Sequence, residues 1–277
     1  MERDSFYNNE HQNDLQPYKP IQEQTFFERF SFKSLTFKTT VVQFIIFFLT
    51  IFHTIYLIEK YLVNDGDESD IYSFKCVLYT WGSKHTPSII YRYQFWRLVC
   101  PIFLHGSFSH IIGNMVVQIY YGFILELTHG WKRVSILYIV GGIGASLFSC
   151  VRFHYETSVG ASGSIFALLA LELIYFITTF PGIEPKRIVV LILLAPMIFL
   201  SFIDSPPQVD IAGHLGGLVV GLLIGIGYAF ADAQSNIKQQ CQYIFYGLVG
   251  LLFIYIFTIL YQTKLEDEKI CQGMNII

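Results

Sequence analysis

The residues best suited to chemistry in this sequence are polar side chains set in very apolar runs. Ser162 lies in Gly160-Ala161-Ser162-Gly163, and His214 lies in Gly213-His214-Leu215-Gly216-Gly217. A serine hydroxyl is a poor nucleophile until a base takes its proton, and histidine is the usual base. His105, His110 and Asn114 form a second polar group. An amide side chain, with the unpaired backbone N–H groups of a helix start, can hold an oxyanion. Taken together these residues make an acyl-transfer set. The same residues would also serve to hydrogen-bond helices to one another, and spacing alone leaves the two readings level. HExxH is absent and no His, Cys or Glu set has zinc spacing, so no metal or other cofactor is expected.

The elements that must position these groups are membrane spans. The chain is 53% hydrophobic and only 14% charged, well below the roughly one quarter charged residues of a soluble domain. A helix needs about 20 mostly apolar residues to cross the hydrocarbon of a bilayer. Seven runs approach that length, at about 39–58, 108–127, 134–151, 159–180, 188–203, 211–231 and 243–261. The second and fifth are the least apolar or the shortest. Residues 1–38 are polar and mix acids with bases, unlike a mitochondrial transit peptide, and they read as a flexible cytosolic tail. The expected organisation is that tail, a six-helix core over 39–231 and a last segment over 232–277. The core contains a long loop at 59–107, and the last segment holds the seventh helix and a short tail. The fold class is therefore an all-α membrane bundle.

Loop charge orients it. Lys132, Arg133, Lys186, Arg187 and Lys238 fall in short loops on one side, and only Arg152 falls on the other. Basic short loops stay in the cytosol, which predicts a cytosolic N-terminus. The polar residues then cluster at the starts of the second, fourth and sixth spans, which all run inward. Ser162, His214, His110 and Asn114 therefore lie at one depth. Tyr91, Tyr93, Phe95 and Trp96 in the long loop suit a membrane interface.

Gly213, Gly217, Gly221 and Gly225 recur every fourth residue. Such small-residue stripes let membrane helices approach closely, and Gly163, Ala167 and Ala170 offer the fourth span a matching face. Pairing these two spans would bring Ser162 to His214, although the stripe alone would equally serve generic helix association. Net charge is −3, which gives no reason to expect nucleic acid. Five cysteines lack CxxC spacing, and Cys76 could pair with Cys100. Glu172 lies roughly 15 Å deeper than Ser162 by helical rise, too deep for the pair, and reads as a structural hydrogen-bonding group. His53 reads as a packed histidine, and His154 and Asp204 as loop residues facing solvent.

Over about residues 94–231 the chain resembles the rhomboid family of intramembrane serine proteases. Gly160-Ala161-Ser162-Gly163 resembles its GxSG motif, Gly213-His214 its histidine motif, and His105, His110 and Asn114 its HxxxxHxxxN pattern. Trp96-Arg97 and Glu126 resemble its Trp-Arg pair and a structural glutamate. The resemblance implies a rhomboid-like six-helix bundle with a seventh C-terminal helix, as in the secretory-pathway branch. It implies Ser162 as nucleophile and His214 as base, with no third acid. His110, Asn114 and the Ser162 N–H would form the oxyanion site. Gly160, Gly163, Gly217 and Gly221 would allow close packing. His105 would support structure, and Trp96 and Arg97 would anchor the first loop at the interface. Phe166 stands where many active members have a tyrosine stacked on the histidine, so the ring is kept and a hydroxyl lost. Substrates would be single-span membrane proteins cut near the extracytoplasmic end of their helix. The bilayer, and neither metal nor nucleic acid, would be the other partner, in the plasma membrane or a secretory-pathway membrane such as Golgi or endosome. A non-catalytic rhomboid-like scaffold or trafficking factor for membrane clients is the alternative. A small-molecule transporter would need inverted repeats and broken helices, and neither is evident.

Overall fold

The computed structural model describes residues 34–62, 74–179, 210–233 and 235–266. Helices dominate, and no strand longer than one isolated bridge occurs among the described residues. Helix α1 covers Leu35–Leu62. The first loop then folds into two short helices, α2 (Phe74–Thr80) and α3 (Thr86–Tyr91), and two 3-10 turns, Phe95–Leu98 and Cys100–Phe103. Five longer helices follow: α4 (Phe108–His129), α5 (Trp131–Arg152), α6 (Ser162–Thr179), α7 (Ile211–Ala231) and α8 (Asn236–Gln262). Among the described residues six helices, α1 and α4 to α8, are long and apolar enough to cross a membrane. The protein is a multi-pass membrane protein with an all-α bundle. The expected span 188–203, the tail at 1–33 and Asp204 lie outside the described residues.

α1 shows how such a bundle differs from a soluble one. Its buried face carries Thr36, Thr40, Gln43 and Thr50, while Val42, Ile45, Phe48, Leu49 and Phe52 are exposed. Against lipid the apolar face needs no cover, and the polar stripe must find partners inside. It does so in one buried network. Gln43 Nε2 donates to the Ile102 carbonyl at 2.9 Å and Gln118 Nε2 donates to Gln43 Oε1 at 2.8 Å. Gln118 also reaches Thr40, and the Tyr138 hydroxyl donates to Gln118 Oε1. Helices α1, α4 and α5 are thereby joined beneath the second 3-10 turn.

The centre of the bundle is α7, which packs on α5, α6 and α8. α6 and α7 run parallel, because their N-terminal residues meet each other and so do residues several turns on. Their glycines set the separation. A Cβ on Gly217 would lie 2.0 Å from the Gly163 carbonyl oxygen, and one on Gly221 would lie 2.6 Å from the Ala167 Cα. Since α6 and α7 are parallel, Thr179 and Ile211 stand at opposite ends of the bundle.

The chain after α8 returns to the first loop. The Tyr91 hydroxyl donates to the Leu265 carbonyl at 2.7 Å and accepts from the Leu265 N–H at 3.0 Å, and Glu266 N–H donates to the Tyr155 hydroxyl. Ile256 and Leu260 of α8 are buried with Ile89, Ile90 and Leu98 in a second apolar core. The cysteines settle one pairing that the sequence leaves open. Cys76 is disulfide-bonded, yet Cys100, Cys150 and Cys241 are free, so Cys76 does not pair with Cys100. Cys100 instead packs its Cβ and Sγ against Gly82.

Candidate active site

Three helix starts converge on the site, and two of them carry a side-chain cap. Ser107 caps α4 by accepting from the His110 N–H at 3.1 Å. That sets His110 in the first turn and Asn114 one turn deeper on the same face. Asp210 caps α7 by accepting from the Gly213 N–H at 2.8 Å, and its carbonyl accepts from the His214 N–H. α6 begins at Ser162 itself, so the N–H groups of its first turn have no partner within the helix. His105 and Gly160 fall just outside the helices, in the connections that lead into them.

The serine and histidine meet. His214 Nε2 lies 2.9 Å from Ser162 Oγ, within ordinary hydrogen-bond reach. Phe166, one turn along α6, stacks on the imidazole with ring centres 4.5 Å apart and planes 23° apart. This packing helps hold the ring in place. His214 is buried, and a cleft lined by Ser158, Gly160, Ser162, Asp210, Gly213 and His214 opens over the pair.

His110 and Asn114 lie against the residue two before the serine. A Cβ on Gly160 would fall 2.8 Å from His110 Nε2 and 3.8 Å from Asn114 Nδ2. Gly160 also has φ +131°, a backbone that side chains rarely adopt, so glycine is required twice over. The Gly106 N–H points at His110 Nδ1 at 3.5 Å, a long contact that favours the tautomer with its proton on Nε2, facing the serine loop. Asn114 Nδ2 spends one hydrogen on the His110 carbonyl at 3.0 Å and keeps a second. The arrangement can activate a hydroxyl and offer donors to a charge developing on an oxygen beside it.

The other residues singled out from sequence sit around this centre. His105 is buried and meets His110 edge-on, with ring centres 5.3 Å apart. Trp96 and Arg97 part company: Trp96 is 54% exposed, while Arg97 is 4% exposed and points into the first loop. Its guanidinium donates to the Tyr79 and Ser83 carbonyls at 2.7 and 2.9 Å and lies 4.2 Å from the centre of the Tyr79 ring. Glu126 is far from the pair, where Oε1 accepts from the N–H and hydroxyl of Thr36 and caps α1. Glu172 is buried in the bundle away from the cleft. The His53 ring accepts from the Trp81 indole N–H at 3.0 Å, as a packed histidine does. His154 is half-buried beside Tyr155 and not fully turned to solvent.

Sequence reasoning missed Lys84. It is fully buried, and its ammonium donates to the carbonyls of Phe153 and Glu156. A lysine between a serine and a histidine in a polar loop carries no signal of burial.

Comparison with known proteins agrees with the architecture. Residues 92–231, half of the chain, match the family model described as Rhomboid domain. The chain is 36% identical over 199 residues to RHOMBOID-like protein 5 of Arabidopsis thaliana, covering 65% of this chain and 64% of that one. It is 33% identical over 153 residues to Rhomboid-like protease 2 of Toxoplasma gondii, covering 55% and 53%. Rhomboid protease AarA of Providencia stuartii is 28% identical over 199 residues, covering 64% and 71%. The chain thus spans less than two thirds of the first two relatives. It belongs to the rhomboid family.

Proposed function

We propose that the protein is an intramembrane serine protease that cuts the transmembrane segments of single-span proteins with a Ser162–His214 dyad. The 2.9 Å contact between His214 Nε2 and Ser162 Oγ, under the Phe166 ring, carries this reading. Ser162 Oγ attacks the scissile carbonyl carbon as His214 Nε2 takes its proton. The resulting oxyanion accepts from Asn114 Nδ2, His110 Nε2 and the Ser162 N–H. Collapse breaks the C–N bond, and the imidazolium returns its proton to the leaving nitrogen. Water then attacks the acyl-serine ester as His214 takes its proton, and the ester C–O bond breaks as the imidazolium returns the proton to Ser162 Oγ. In water-excluded surroundings such donors act strongly on developing charge. The substrate helix must unwind before its carbonyl is reachable, so helix-weakening residues near the cut favour cleavage. The matches to named proteases support the class of activity. The basic short loops support a cytosolic N-terminus and a site facing the opposite side, in the plasma membrane or a secretory-pathway membrane.

The test is Ser162→Ala in cells expressing a reporter with a single transmembrane helix. Cleavage should fall below detection while the variant reaches the same membrane in the same amount. Undiminished cleavage would overturn the proposal and favour a scaffold for membrane clients.

A further inference from the structure

The serine is delivered by a loop, 153–161, that leaves α5 and enters α6. Loops are ordinarily the mobile parts of a fold, yet this one must hold Ser162 Oγ at hydrogen-bond distance from a ring on another helix. What fixes it comes from the first loop. Lys84 forms the described residues' isolated β-bridge with Ser158: its N–H donates to the Ser158 carbonyl at 3.0 Å, and the Ser158 N–H donates back at 3.3 Å. The Lys84 ammonium then reaches past the bridge and donates to the Phe153 carbonyl at 2.6 Å and the Glu156 carbonyl at 2.8 Å. One residue therefore grips the loop at 153, 156 and 158. The next anchor is the Gly160 N–H, which donates to the Pro101 carbonyl at 2.9 Å.

Among the described residues the ammonium has no salt-bridge partner. Burial lowers its pKa below the ordinary lysine value, against the fields of Cys150, Asp210 and Glu156. Removing an ammonium from water is costly. A buried cation spent on two loop carbonyls is a poor device for bulk stability, which an apolar side chain would serve as well. It is a good device for fixing the path of a particular backbone, because charge-assisted hydrogen bonds are both strong and directional. Arg97 does the same one step back, holding the Tyr79 and Ser83 carbonyls on the chain that leads to Lys84.

We propose that Lys84 is a positioning residue that sets the serine loop, so that Ser162 is held in register with His214. This rests on the reading of Ser162 as nucleophile, and the experiment separates the two. Purified full-length wild type, Ser162→Ala and Lys84→Met are treated in detergent micelles with a fluorophosphonate, whose phosphorus takes Ser162 Oγ as fluoride leaves. The maximal labelling rate and the half-saturating probe concentration are measured separately, per folded protein. Met keeps the apolar stem and removes the donors. Lys84→Met should lower the maximal rate at least tenfold, with the half-saturating concentration within twofold and a single folded species on size exclusion. A maximal rate within twofold of wild type would overturn the proposal. Wild type that fails to label at Ser162 would overturn the nucleophile reading, and this proposal with it. A Lys84→Met chain that does not fold also counts against positioning, unless Lys84→Gln, which keeps one donating group, folds and shows the same loss of maximal rate.

Discussion

The two ends of the bundle handle charge in opposite ways. At the site end, Lys84 and Arg97 are buried and donate to backbone carbonyls. At the far end, Arg133 makes a two-pronged ion pair with Asp232 at 2.7 and 2.8 Å, with Asp232 open to solvent and Arg133 half-buried. Glu126 caps α1 at that same end. The far end is built as helix ends usually are, with caps and a partly exposed pair that tolerate loss. The site end has long connections to hold, and it holds them by directing cations at particular peptide groups. On the proposed role of Lys84, precision near the cleft comes from first-loop cations that hold particular peptide groups as well as from helix packing.

Four substitutions probe this difference between the two ends. Gly217→Leu places a side chain on the Gly163 carbonyl oxygen and should part α6 from α7. Fluorophosphonate labelling of Ser162 should fall at least about 100-fold, a loss near 2.7 kcal/mol; labelling near the wild-type rate would show that the helices can separate without losing the pair. Arg97→Met leaves two buried carbonyls without their donor and should cost about 3 kcal/mol, read as a lower melting temperature in micelles together with slower labelling. Glu126→Gln weakens the cap on α1 by about 1 kcal/mol. Its melting temperature should drop slightly while labelling stays at wild type, so a large labelling defect would undo the distinction between the ends. Arg133→Ala removes a partly exposed pair worth under about 1 kcal/mol and should change neither measurement beyond a degree or two and a factor of two.

The fold was legible where physics acts over twenty residues at a time. Six of the seven apolar runs coincide with helices long enough to cross a membrane. Their ends shifted, because helices continue past the hydrocarbon: α8 starts at Asn236, seven residues before the apolar run. Ser162, His214, His110 and Asn114 stood out because polar groups in apolar runs are costly and few. Their convergence followed from the direction of the spans. The first loop was opaque. Its two short helices and two 3-10 turns have no periodicity long enough to read, and the burial of Lys84 and Arg97 depends on which loop lies over which. The free Cys100 makes the same point, since pairing of cysteines depends on placement that sequence spacing does not give.

The parallel packing of α6 and α7 has a consequence for biosynthesis. Ser162 and His214 are 52 positions apart, and the contact from Tyr91 to Leu265 spans 174. During translation the serine emerges well before its base, and the clasp on the first loop closes later still. On the proposed reading, a half-made chain in the insertion machinery carries a nucleophile with nothing to activate it. On that same reading it would stay silent among its unfolded neighbours until the helix carrying His214 has also entered the bilayer.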